Sequence, residues 1–335
     1  MRYMVWVPLL MNLAVVCGAP ALARRIPYRV RPGVLTGTAA VAAVGWLWSL
    51  ALLATSLAER LPSLGHRLDL PVPGPGRTAE LPPAAVGACA SAVVAIAVVT
   101  LVVATVRLAR ELARAERLVR RLPAGRVHVV AGELPDACAI GGVTGSRIMI
   151  TTGLVDCLDA AERAAVLAHE QAHLAGRHHW LRLVVACCAA TDPLLRRLPQ
   201  LVEAACERWA DERAAQPAGQ RTVLARALGK AALATLRASG TAPRAHASAT
   251  GSATKPDSMP DSMPDRELAP GFGAGPTACG FDRGAVPERM AALLAGPPRA
   301  TGSPAWLLMS TVVTALVLGS CVHASTDFLT LLRWY

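Results

Sequence analysis

The chain has 335 residues, of which 53% are hydrophobic and only 17% charged, and its mean hydropathy is +0.40. That is too apolar for an ordinary water-soluble protein. The formal charge of +11 would suit a nucleic-acid binder, but the arginines stand beside long apolar runs, where they act as topology signals, so no direct nucleic-acid binding is expected. Nine cysteines include no CxxC pair, and several fall inside the apolar runs, which argues against a disulfide framework and against a thiolate metal site.

Residues 3–23 carry no charge and are long enough for a spanning helix. The cluster Arg24, Arg25, Arg29 and Arg31 follows it, an order that suits a retained helix better than a signal peptide. Residues 34–58 and 83–106 are the second and third uncharged runs, separated by a Pro- and Gly-rich stretch of balanced charge. Arg107, Arg110, Arg114, Arg117, Arg120 and Arg121 follow the third, and a solvated helix is expected to carry them out of the membrane. The arginine bias places the N-terminus outside the cell membrane and everything after the third run in the cytoplasm.

Residues 126–130 and 147–152 read as strands, with the Gly-rich GGVTGS turn before the second. That turn lacks the lysine and the full spacing of a phosphate loop. The stretch His178–Gln200 has only nine uncharged residues between Arg182 and Asp192, too few to span; it is expected to be a buried helix or one resting on the membrane. Two more helices are expected, one opened by Pro199 and one over residues 221–237. Residues 238–281 are rich in Gly, Pro and Ser and read as a flexible linker, residues 282–300 as a short helical segment, and residues 305–326 as a fourth span. The expected architecture is therefore a mostly α-helical integral membrane protein with about four transmembrane helices. Three of them lie in residues 1–106, and a cytoplasmic α+β domain with a small β-sheet occupies residues 107–237.

The chemistry concentrates in Asp159–Arg177, DAAERAAVLAHEQAHLAGR. Asp159 with Glu162 forms the pattern of a capping box, Ala-rich sequence propagates the helix, and Gly176 is a suitable stop. Within the helix His169 and His173 are one turn apart on one face, so both rings can reach a single ion, and Glu170 can address a water on it. Catalytic zinc needs a third protein ligand. Glu203, Glu207 and Asp211 recur every four residues on one later helix, and one of them is expected to supply it. Asp211 can alternatively accept a hydrogen bond from a ligand histidine. The bland alternative is a solvated acidic face shared with Arg208 and Arg213. Zinc would activate a water, and Glu170 would take its proton and return it to the leaving amine. His178, His179 and Arg213 are candidate oxyanion donors, and the strand over residues 147–152 is a candidate edge for an extended substrate.

HEQAH followed by ERWADERA, with Glu207 34 residues after His173, resembles the gluzincin membrane metallopeptidases. The three-plus-one arrangement of apolar runs is similar to that of the antibiotic-sensing transducers, which relay a signal by cleavage that relieves a transcriptional repressor. PDACAIGGVTGSRIMITTGLV is similar to the strand region of the heat-shock membrane protease and prenyl-protein protease branch, with Asp136 where that branch often has Asn. The resemblance implies one Zn2+ ligated by His169, His173 and Glu207, with Glu170 as general base and Asp211 in support. It implies a zinc endopeptidase acting on cytoplasmic or membrane proteins, either in signalling to a repressor, with a membrane partner supplying the signal, or in membrane-protein quality control. A non-catalytic zinc-binding membrane regulator is the rival reading. The large extracellular domain of the sensor-type transducers is missing after the last run, so direct covalent sensing of a β-lactam is not expected.

Overall fold

The structure, a computed structural model, describes residues 6–58, 83–216, 219–238, 278–280, 286–297 and 305–333. Its contacts divide the chain into two units, one formed by residues 1–113, 177–209 and 298–335 and the other by residues 114–176 and 210–297.

In the first unit, helices α1 (Val7–Arg25), α2 (Arg31–Ala58) and the N-terminal part of α3 (Ala84–Arg121) are long and apolar enough to cross a membrane. α10 (Ala305–Arg333) carries a further apolar stretch, Ser310–Thr326. Helices this apolar carry no amphipathic stripe, a pattern suited to outer surfaces that lie in hydrocarbon. α3 makes this plain: Ile96, Val99 and Val102 are more than half exposed, an apolar surface water would not tolerate on a folded monomer. The helices pack Trp46, Leu50 and Leu53 of α2 with the small Ala90 and Ala97 of α3 and Ala324 of α10, and they also meet through a close approach and a polar link. A side chain at Gly45 of α2 would meet Val317 Cγ1 of α10 at 2.5 Å, and Trp48 Nε1 donates to Ser325 Oγ at 3.0 Å. α6 (His178–Thr191) is buried on one face, where Val185 and Cys188 share a core with Leu35 and Ala39 of α2, while Trp180 and Val184 stay exposed. A buried polar pair, Asn12 with Asp192, ties α1 to the turn that follows α6.

The second unit is built on a four-stranded sheet of order β1-β3-β2-β4, comprising β1 (Val127–Val130), β2 (Ala137–Gly141), β3 (Ser146–Thr151) and β4 (Ala278–Gly280). β1 runs parallel to β3, whereas β2 is antiparallel to β3 and to β4. Both faces are covered. Cys138, Ile140 and Met149 pack with Val130 against Ala115 and Val119 of α3, while Ala137, Ile148 and Ile150 pack against Ala165 and Val166 of α5 (Ala160–Ala175). β2 is therefore buried along its whole length, which explains why ACAIG shows none of the alternation of a half-exposed strand. The expectation that β3 offers an edge to a substrate is wrong, because β1 and β2 occupy both its sides; among the described residues the edges are β1 and β4.

The Gly142–Gly145 turn shows why it is no phosphate loop. Its amides already hold an anion, Glu116 of α3, which accepts from Val143 N at 2.8 Å, from Thr144 N at 3.2 Å and from the Thr144 hydroxyl. The turn favours glycine, since a Cβ at Gly142 would stand 2.9 Å from the backbone Gly145 O and would displace the Glu116 carboxylate. The linker expected over residues 238–281 needs correction at its end: Ala278–Gly280 adds to the sheet beside β2, so backbone pairing outweighs the weak strand preference of Ala-Cys-Gly. Residues 239–277 lie outside the described residues, as do 1–5, where the first expected span begins. The remaining helices are α4 (Thr152–Cys157), α7 (Leu198–Ala214), α8 (Gln220–Ala238) and α9 (Val286–Leu294). α7 follows a 3-10 turn over Pro193–Arg197.

Candidate metal centre

α5 begins as its sequence dictates. The Asp159 side chain accepts from Glu162 N at 2.9 Å, and the Glu162 carboxylate accepts from Asp159 N at 3.0 Å, so the capping box is complete. Glu162 is fully buried and also pairs with Lys230 of α8 at 2.7 Å, which fixes the helix start to its neighbour. The helix end differs in detail from expectation. Gly176 keeps a right-handed backbone (φ −76°), and the left-handed turn falls on Arg177 (φ 50°), a residue that tolerates it less well.

Two turns of α5 carry His169, Glu170 and His173, all nearly inaccessible to solvent. The two histidine Nε2 atoms approach to 3.0 Å, with ring planes 71° apart, so both point at one spot. His169 Nδ1 lies 3.0 Å from Asp211 Oδ1 on α7. That contact favours the tautomer with hydrogen on Nδ1 and a lone pair on Nε2, the form a metal ligand requires. α7 is one unbroken helix, and Glu207 stands one turn before Asp211 on it. His169, His173 and Glu207, all buried, each offer one ligand atom within 4.8 Å of the others. The acids at four-residue spacing thus part company: Glu203 is a partly exposed partner of Arg182, at 2.7 Å.

A partner absent from the sequence reading completes the cluster. Arg289 of α9, only 6% exposed, donates to Asp211 from Nε (2.9 Å) and from Nη2 (2.7 Å), and Nη2 also lies 3.4 Å from His169 Nε2. Burial would push the Asp211 carboxyl up, but the Arg289 guanidinium and His169 outweigh it and hold the carboxyl below the ordinary aspartate value. A donor set of two imidazoles and one carboxylate fits catalytic zinc.

Of the three oxyanion candidates, His178 is buried edge-on against Trp209. His179 is buried, and burial followed by the nearby Arg177 holds its pKa below the ordinary imidazole value. Arg213 is exposed. Asp136 accepts from Ala137 N at 3.0 Å at the entry to β2, so its carboxylate serves the backbone there.

Residues 104–205 match the profile of Peptidase family M48. The chain is 36% identical over 92 residues to "Protease HtpX homolog" of Acidiphilium cryptum, covering 27% of this chain and 32% of the relative. It is 33% identical over 88 residues to a protein of the same name in Aquifex aeolicus, covering 25% and 29%. It is 38% identical over 65 residues to "Protease HtpX homolog 1" of Sulfolobus acidocaldarius, covering 19% and 21%. The chain thus spans about a third or less of the length of these relatives, and no solved structure matches it. The profile match ends at residue 205, within α7, and so stops short of Glu207 and Asp211.

Proposed function

We propose that the protein is a membrane-embedded zinc endopeptidase in which His169, His173 and Glu207 hold one zinc ion. The observation that carries this reading is the convergence of these three buried donors beside Glu170, with Asp211 on the outer nitrogen of His169. Zinc bound there would polarise both a water and the scissile carbonyl. Glu170 takes the proton of the attacking water and returns it to the leaving amine. Asp211 keeps His169 in the ligating tautomer, and Arg289 keeps Asp211 ionised and in place. Burial of the cluster keeps bulk water from competing with that single proton transfer.

The arginine cluster after α1 and the arginines after Val106 support placing the peptidase domain on the cytoplasmic side, with protein substrates drawn from cytoplasm or bilayer. The relatives are named as proteases, in keeping with an active enzyme rather than a zinc-stabilised scaffold. Fluorescein-labelled casein tests the activity: purified full-length protein cleaves it, and Glu170→Gln keeps zinc but loses cleavage. A variant cutting at the wild-type rate would refute Glu170 as the base. The same variant expressed in its native membrane traps substrates, where a captured transcriptional repressor selects signalling and a mixture of damaged membrane proteins selects quality control.

A further inference from the structure

The metal cluster depends on α9, a helix of nine residues that follows α8 only after a long Gly-, Pro- and Ser-rich stretch. Arg289 holds one end of it to Asp211. The other end is held by Arg221, in the first turn of α8. Its Nε donates to Leu293 O at 3.0 Å, and its Nη2 donates to Gly296 O at 2.8 Å and to Ala292 O at 3.4 Å. These carbonyls close the C-terminus of α9, where a helix lacks its own donors and carries partial negative charge. The same guanidinium makes a two-pronged pair with Glu212, Nη1 to Oε2 at 2.7 Å and Nη2 to Oε1 at 2.9 Å. Glu212 is 3% exposed and directly follows Asp211 on α7. Consecutive carboxylates of α7 therefore reach two points of α9, Asp211 through Arg289 and Glu212 through Arg221.

We propose that Arg221 is a positioning residue of the metal centre. It clamps α9 to α7 and α8, so that Arg289 stays on Asp211 and Asp211 stays on His169 Nδ1. The inference rests on the zinc-site reading above. The clamp uses the planar fork of arginine, which serves a carboxylate and three carbonyls together; lysine brings the charge but not the geometry.

The test is zinc affinity of the full-length protein in detergent, by competition with a chromophoric chelator, alongside the visible absorption of the Co2+-substituted form. Wild type is compared with Arg221→Ala, Arg221→Lys and Arg226→Ala, the last removing a cation of α8 that pairs with Glu162 at 3.2 Å. Arg221→Ala is expected to bind zinc about tenfold more weakly and to shift the Co2+ bands. Arg221→Lys is expected to fall between it and wild type, and Arg226→Ala to match wild type. Circular dichroism checks folding, and if Arg221→Ala does not fold, Arg221→Lys decides. Folded Arg221 variants with wild-type affinity and spectrum overturn the inference, as does an equal loss in Arg226→Ala. A wild-type protein that binds no zinc overturns the metal-site reading itself, so the two failures are distinguishable.

Discussion

Two carboxylates of the second unit are both held below their ordinary pKa, for opposite reasons. Glu116 lies near the surface, its pKa lowered to about 2 chiefly by the Thr144 hydroxyl, then by Arg120 and by the turn amides. Asp211 lies in the interior, where burial works against ionisation and two neighbours, Arg289 and His169, must overcome it. Glu116 anchors a turn that any set of donors could hold. Asp211 sits where losing either partner strands a charge away from water, and an arrangement so costly to break is one that fixes the direction of a histidine.

That contrast sets the expected size of each perturbation. Arg289→Ala leaves Asp211 buried without its strongest counter-charge and should destabilise the protein by about 3–5 kcal/mol in chemical unfolding. Asp211→Ala frees the His169 ring, and zinc affinity should fall by about 10–100-fold in chelator competition. Glu116→Gln should be milder. Its bonds stabilise the folded chain fully above pH 4.5 and are lost as pH falls through about 2, so the variant should flatten the pH dependence of stability across that window. Amide exchange at Val143 and Thr144 should quicken in the same variant. Glu203→Ala removes only a partly exposed pair with Arg182 and should change stability by about 1 kcal/mol or less, with zinc binding unaltered.

What the sequence revealed follows the range of the interactions. The capping box and the histidine pair of α5 are written in consecutive residues, and the structure places them as their spacing implies. The acids of α7 share one helix face, so periodicity alone did not choose between Glu203, Glu207 and Asp211. The family resemblance did; in the structure Glu207 and Asp211 are buried and Glu203 is partly exposed. Arg289 left no local trace, because it meets Asp211 across 78 positions from within an unremarkable VPERMAALL segment. Strand order was equally hidden: alternation marked the β3 segment as a strand but could not say that β1 and β2 flank it. β2, buried on both faces, and β4, made of Ala, Cys and Gly, carry no strand pattern.

The central claim is that Glu207, and not its neighbours on the same helix face, completes a zinc site with His169 and His173. Metal analysis of purified full-length protein tests it most directly, comparing wild type with Glu207→Ala and Glu203→Ala after dialysis against a weak chelator. One zinc per chain in wild type and Glu203→Ala, with zinc lost from Glu207→Ala, is the result expected. Full zinc retention by Glu207→Ala would contradict the account.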